Sequence, residues 1–181
     1  AGPALTLLKA GSEEQKKKWI PPLICGERIG CFAITEPDAG SDVAAMRATA
    51  VRNGDGYVLN GTKSWISNAT VADVGVVFAY TDKSQKHHGM SAFFVELNRA
   101  GVSHRDLDKM GTHASPTGEL IFENFHIPRE SLIGREGEGF KLCMWHLNHT
   151  RLGCAAGAVG VARAAKEAAI SYANEREQFG Q

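Results

Sequence analysis

Three regimes of hydrophobic patterning divide the chain. The first is helical: Ser12 is placed to cap an N-terminus and Gln15, three residues on, completes a capping box. That helix is predicted to run through residues 16–20 and to stop before Pro21-Pro22, which remove two backbone donors and disfavour helical geometry upstream. From about Gly30 the pattern changes to short β-branched and aromatic runs, at residues 48–52, 57–59, 74–80, 91–96 and 120–125. Asn53-Gly54-Asp55-Gly56 and Asn60-Gly61 read as hairpin turns, since Asn, Asp and Gly tolerate the positive φ such turns need. From Gly137 a helical period takes over, with Phe140, Met144, Leu147, Arg151, Cys154 or Ala155, and Ala158 on one face. Ala-rich sequence continues it to about Ala173, predicting one long helix with at most one break. Gly153, Gly157 and Gly160 are poor helix formers whose expected use is to let another backbone approach closely.

The order helix, β-domain, long helix predicts an α+β fold. Its centre is an antiparallel, β-barrel-like domain at residues 30–134. Flanking it are the end of an N-terminal helical domain at 1–29 and the start of a C-terminal helical bundle at 135–181.

Composition narrows the function classes. Lys+Arg and Asp+Glu are both 20, so the formal net charge is zero and no global field draws the chain to nucleic acid or an anionic membrane. The run Lys16-Lys17-Lys18 reads as a solvated helix face. Hydrophobic residues make up 43%, enough for a packed core, yet no stretch approaches the roughly 18 apolar residues of a membrane span. Cys25, Cys31, Cys143 and Cys154 form no CxxC pair and read as small core residues in a reducing compartment, without a structural metal. His87, His88, His104, His113, His126 and His146 fit no ligand or nucleophile spacing. The chain opens at Ala1-Gly2-Pro3 without a Met, which leaves room for a targeting segment upstream.

The stretch Phe32-Ala33-Ile34-Thr35-Glu36-Pro37-Asp38-Ala39-Gly40-Ser41-Asp42 carries the most chemistry. Pro37 and Gly40 make a turned loop leaving an apolar strand, with Thr35, Ser41 and backbone N–H groups free to bind oxygens or anions. An ordinary loop capped by Asp42 explains the same residues equally well. No GxGxxG stands between a strand and a helix, the spacing of Gly134, Gly137 and Gly139 is wrong for one, and no P-loop is present.

Residues Thr35 to Asp42 closely resemble the signature loop of acyl-CoA dehydrogenases. Asn60-Gly61-Thr62-Lys63-Ser64-Trp65-Ile66-Ser67-Asn68 is similar to that family's second flavin segment. Gly137-Glu138-Gly139-Phe140 with Thr150-Arg151 resembles the start of its substrate-lining helix, and Arg176-Glu177-Gln178-Phe179-Gly180 its R-x-x-F-G signature. The resemblance implies FAD as cofactor. The backbone of Phe32, Ala33 and Ile34 and the hydroxyl of Thr35 would contact the flavin ring. Gly40 and Ser41 would lie by the pyrophosphate, Ser41 also by the acyl-CoA chain. Trp65 would shield the isoalloxazine, with Ile66 and Ser67 bonding around its reactive nitrogen. On its own, Trp65 reads better as a strand aromatic packed in the core. Arg176, with Gln178 and Phe179, would reach the flavin diphosphate of a neighbouring subunit, as suits a planar guanidinium. Asn148, His149, Thr150 and Arg151 would line the CoA side of the pocket, and a buried Arg151 would need a partner.

The reaction implied is α,β-dehydrogenation of an acyl-CoA thioester, with electrons passed to an electron-transfer flavoprotein by a homotetramer in a bacterial cytoplasm or the mitochondrial matrix. An acyl-CoA oxidase and a non-catalytic assembly subunit are the rivals. No residue of the chain is assigned as catalytic base. The family places it beyond the position of Gln181 or directly before the Arg matched by Arg151, where this chain has Thr150. Glu36 and Glu138 read as loop-structural, and the 181 residues alone are expected to lack turnover. Residues 111–119 and 147–152 look closest to glutaryl-CoA dehydrogenases, with enzymes for cyclic acyl-CoA thioesters similar too. Trp145 would either shorten the acyl pocket or pack in the core.

Overall fold

The computed structural model describes residues 2–180, so the expected domain limits at residues 1 and 181 lie outside the described residues. The elements run α1 (Gly2–Ala10), α2 (Glu13–Ile24), β1 (Gly30–Ala33), β2 (Thr49–Asn53), β3 (Gly56–Ser67), β4 (Val74–Tyr80), β5 (Met90–Glu96), β6 (Val102–Asp106), β7 (Thr117–Pro128), β8 (Leu132–Ile133) and α3 (Gly139–Glu175). They fall into two compact units that divide between Cys143 and Met144.

The first unit is built on one sheet with strand order β6-β7-β3-β2-β4-β5-β8, to which β1 adds by pairing in parallel with β4. The α+β class is as expected, but the sheet is not a closed barrel. One edge of β4 is shared, β1 pairing with it over four residues and β2 at a single pair, Thr49↔Tyr80. No pairing among the described residues joins β6 to β8.

All seven residues of β4 are buried, which explains its unbroken apolar run: it has no solvent face. On one side Val77 and Ala79 meet Phe93 and Leu120 in the main core. On the other, Phe32 packs on Phe78 with ring centroids 5.1 Å apart, and Trp19 of α2 lies 5.2 Å from Phe94. Each fully buried Phe contributes about 1.5–3 kcal/mol of transfer free energy. Cys31 and Cys143 belong to this interior, and burial pushes both thiols up to about 12. Cys25 and Cys154, by contrast, are exposed, and all four thiols are free.

Two local expectations need correcting. Helix α2 does not stop before Pro21-Pro22 but continues through them to Ile24. The prolines cost donors but not acceptors, and their carbonyls take the terminating bonds from Cys25 N and Arg28 N at 3.0 and 3.1 Å. The capping box itself is present, Ser12 Oγ accepting from Gln15 N and Gln15 Oε1 from Ser12 N. Second, Asn60-Gly61 is not a hairpin turn. The hairpin lies at Gly54-Asp55, between the paired Asn53 and Gly56, and β3 then runs straight through Asn60-Gly61 with a register shift against β7. Gly61 has φ +140°, and Asn60 Oδ1 accepts from the Asn124 amide at 2.7 Å, so the turn-forming residues lie opposite a bulge whose extra residue is in β7, between Phe122 and Phe125.

The second unit is the body of α3. The helix is single and unbroken over its 37 residues, and the space around Gly153, Gly157 and Gly160 is open. Among the described residues no helix is long and apolar enough to cross a membrane.

Candidate functional site

Strand β1 ends at Ala33, and the chain then folds into a narrow turn. Glu36 and Ala39 exchange backbone hydrogen bonds of 3.0 and 3.1 Å, leaving Pro37-Asp38 at the tip, where a fixed proline φ suits the second turn position. Asp42 makes no side-chain capping bond to the short helical turn that follows, so the ordinary capped-loop reading loses its support. Gly40, Ser41 and Asp42 are exposed on the outer side of this loop, while Thr35 is half-buried at its root.

The loop is pinned from inside. The Glu36 carboxylate points into the protein and accepts from the amides of Arg47 at 2.5 Å and Ala48 at 3.0 Å. It also receives the ammonium of Lys63, on β3, at 2.8 Å. Lys63 is 0% exposed and Glu36 6%, so this is a buried ion pair. Lys63 Nζ donates a second bond to Ile34 O at 3.1 Å and approaches Met46 Sδ at 3.9 Å. Burial lowers the Lys63 pKa, and the charge of Glu36 works against that. Removing either partner alone would leave a buried charge uncompensated, a loss of about 3–5 kcal/mol.

Two residues further along β3 the backbone departs from the pleat. A second register shift against β7 falls between Lys63 and Ile66, and Trp65, inside it, has φ +59°. A bulky residue in the left-handed region costs about 1–3 kcal/mol unless its surroundings hold it there. Those surroundings are identifiable. Ser64 N donates to Thr35 O at 2.9 Å, and Ser64 Oγ donates to Glu119 Oε1 at 3.2 Å. Arg105 holds the other Glu119 oxygen at 2.6 Å, and Ile66 is buried in the core. The indole is turned outward, with Trp65 60% exposed. The core reading of Trp65 is thereby overturned.

The expected flavin residues of the first unit thus divide by what they offer. Phe32 and Ala33 lie in β1, with Ala33 buried, and Ile34 and Thr35 carry carbonyls already bonded to Lys63 and Ser64. Ile66 points inward and offers only its backbone, whereas Ser67 is exposed. An outward indole beside hydroxyls and peptide groups suits a flat heteroaromatic ring with a polar edge. Lys63, Glu119 and Arg105 were given no role by motif reading. For Lys63 a signal existed, because the alternation Tyr57, Leu59, Gly61, Lys63 puts it on the inward face of β3.

The second unit holds the remaining candidates. On α3, His149 Nδ1 lies 2.7 Å from Trp145 O and its ring packs on Trp145 with centroids 4.1 Å apart and planes tilted by 38°, so Trp145 is half-buried against that imidazole. Thr150 Oγ1 donates to His146 O at 3.2 Å and to Leu147 O at 3.4 Å. Arg151 is exposed and its Nε donates to Leu147 O at 3.3 Å, while Asn148 is exposed. Arg176, Gln178 and Phe179 lie past the helix end, all exposed, with Phe179 at φ +54°. No group of three or more potential metal-ligating side chains occurs among the described residues.

Comparison with known proteins places the chain among related sequences and structures. Residues 31–125 match the acyl-CoA dehydrogenase middle domain and residues 137–181 the acyl-CoA dehydrogenase C-terminal domain. The chain is 53% identical over 180 residues to a glutaryl-CoA dehydrogenase of Desulfococcus multivorans, covering 99% of this chain and 46% of that protein. It is 47% identical over 175 residues to a mitochondrial short-chain specific acyl-CoA dehydrogenase of Rattus norvegicus, covering 96% and 42%. The structure of a glutaryl-coenzyme A dehydrogenase glutaryl-CoA complex superposes with a TM-score of 0.96 at 52% identity, covering 99% and 46%. That of a Mycobacterium smegmatis glutaryl-CoA dehydrogenase with FADH2 gives 0.91 at 39%, covering 99% and 45%. The chain therefore spans about half the length of the relatives it matches.

Proposed function

The chain belongs to the acyl-CoA dehydrogenase family, and from that premise we propose that it contributes FAD binding and part of the acyl-CoA pocket to an enzyme dehydrogenating acyl-CoA thioesters between Cα and Cβ. The observation that carries the reading is Trp65, an exposed indole held at a left-handed φ between buried neighbours and tied through Ser64 to Thr35. Strain of this kind persists where a surface is built for a ligand.

In this reading FAD, when bound, supplies the redox chemistry, and the chain supplies alignment. Trp65 covers the ring, the Thr35 hydroxyl and the peptide groups of Ile66 and Ser67 meet its polar edge, and Gly40 and Ser41 lie along the phosphates. Arg176, Gln178 and Phe179 reach a neighbouring subunit's diphosphate within a homotetramer. Asn148, His149, Thr150 and Arg151 line the CoA side. Thr150, whose hydroxyl donates to helix carbonyls and is too weakly basic to take the Cα proton, is a wall residue. The domain division at residues 29/30 and 134/135, a glutaryl-CoA or similar short or cyclic substrate, an electron-transfer flavoprotein as acceptor, and a bacterial cytoplasmic or mitochondrial matrix location complete the proposal. Identity to the glutaryl-CoA relative, 53% against 47% for the short-chain one, supports the substrate lean.

The test is a visible spectrum of the purified protein, followed by anaerobic titration with glutaryl-CoA and with butyryl-CoA. Flavin bands are expected, with a binding-induced spectral shift larger for glutaryl-CoA than for butyryl-CoA and no bleaching, since no residue of the chain is assigned as the base. A folded protein that neither carries nor takes up FAD refutes the reading.

A further inference from the structure

Two ligand-facing segments, residues 35–42 and 63–67, come from distant parts of the chain, and few bonds hold them in mutual register. Backbone contact between them is the Ser64 N to Thr35 O bond at 2.9 Å. The side-chain contact is more substantial: Lys63 Nζ reaches Glu36 Oε1 at 2.8 Å and Ile34 O at 3.1 Å. Glu36 follows Thr35 directly, and Lys63 precedes Trp65 by two residues. A buried ion pair is a poor device for stability alone, because an apolar pair of the same shape does as well or better. Its distinguishing property is geometric, since a charge-assisted bond fixes distance and direction as an apolar contact does not.

We propose that Lys63 and Glu36 are positioning residues that lock the Thr35 loop and the Trp65 bulge into the register in which they hold the flavin together. Glu36 anchors the loop half through the amides of Arg47 and Ala48, and Lys63 carries that anchorage across to β3. Without Lys63, Glu36 stays with its loop, and the side-chain link from β3 to that loop is gone, leaving the Ser64 N bond to Thr35 O across the two segments. The indole then loses its fixed relation to the Thr35 hydroxyl. The inference rests on the FAD-binding reading.

The experiment compares Lys63→Met, Glu36→Gln and the double variant in the FAD-loaded protein, measuring urea midpoints and FAD affinity separately. The single variants are expected to lose stability and to bind FAD on the order of tenfold or more weakly. In the double variant no charge is left unpaired, so stability recovers while FAD affinity stays low. A purely structural pair predicts the opposite, affinity returning with stability, and that result overturns the proposal. Should a single variant fail to fold, the neutral double variant decides by its affinity alone. Amide exchange on the wild-type protein adds an arm that needs no variant. Arg47, Ala48 and Ser64 amides are expected to gain protection together when FAD binds, and no gain at Ala48 or Ser64 overturns the proposal. Wild-type protein that binds no FAD would instead sink the underlying reading, a separable outcome.

Discussion

Gly61 offers the sharpest test of how the fold shapes the site. It sits at φ +140°, and a Cβ placed there would lie 2.7 Å from Ala48 Cβ and 2.8 Å from Ala48 Cα. Ordinary carbon contacts are about 3.5–4.0 Å, so the overlap is roughly 1 Å. Ala48 cannot easily retreat. Its amide is held by Glu36 at 3.0 Å, and its carbonyl accepts from Tyr80 N at 2.9 Å. Gly61→Ala therefore carries two costs, about 1–3 kcal/mol of backbone strain and about 1–3 kcal/mol of overpacking, partly relieved by the same small shifts. The expected total is about 3 kcal/mol, read as a lower urea midpoint at unchanged slope.

Two other glycines separate these costs. Gly54 has φ +60° with nothing within 4 Å of an added methyl, so Gly54→Ala isolates the conformational cost, about 1 kcal/mol. Gly40 has neither a positive φ nor a near neighbour, and Gly40→Ala should be close to neutral in stability. Adding Ala48→Gly to Gly61→Ala removes the 2.7 Å contact but not the one to Cα, so a double-mutant cycle should show about 0.5–1.5 kcal/mol of favourable coupling. A Gly61→Ala change within about 0.5 kcal/mol of wild type would refute the claim that β3 is packed at this point against a fixed Ala48.

Trp65→Asn should leave the unliganded protein as stable as wild type or slightly more so, since Asn tolerates a left-handed φ and the indole buries little, while weakening FAD binding on the order of tenfold or more by spectral titration. Gln15→Ala removes Nε2 donors to Glu130 O at 2.7 Å and Leu132 O at 3.0 Å together with the capping box, and should cost about 2–3 kcal/mol in urea unfolding. Glu136 is pulled upward by burial, but hydrogen bonds from Tyr57 and Arg52 outweigh it and hold its pKa below the ordinary glutamate value. Tyr57 is correspondingly pushed up to about 12, by burial first and Glu136 second. A depressed carboxylate pKa stabilises above the unfolded-state value and loses that contribution as pH falls through the folded one. Glu136→Gln should therefore lower the urea midpoint at neutral pH, with the gap to wild type closing in acid.

How much of this was legible beforehand differs by element, for physical reasons. Strand β4 was plain because a strand buried on both faces must be apolar at every position. Strand β6 was not, because Val102–Asp106 is an edge strand exposed along most of its length and its residues obey no inward pattern. The Asn60-Gly61 signal was read correctly as a positive φ, at Gly61, and wrongly as a turn, since a strand facing a bulge and a hairpin can both call for a glycine and only the partner strand decides. Trp65 shows the same limit at the site itself. Period-two alternation along β3 runs inward at Tyr57, Leu59, Gly61 and Lys63, and its next inward position is residue 65. Continued without a break, it buries the indole, which is the core reading the sequence favoured. Yet both Lys63 and Ile66 are buried, three apart, and an uninterrupted strand cannot turn both inward. The register shift between them supplies the odd residue, and Trp65 takes the positive φ that this requires. The indole reaches solvent because Lys63 is held by Glu36 on one side of the bulge and Ile66 by the core on the other. The exposed aromatic is thus the consequence of one extra residue in β3, set between the buried ion pair at Lys63 and the buried Ile66.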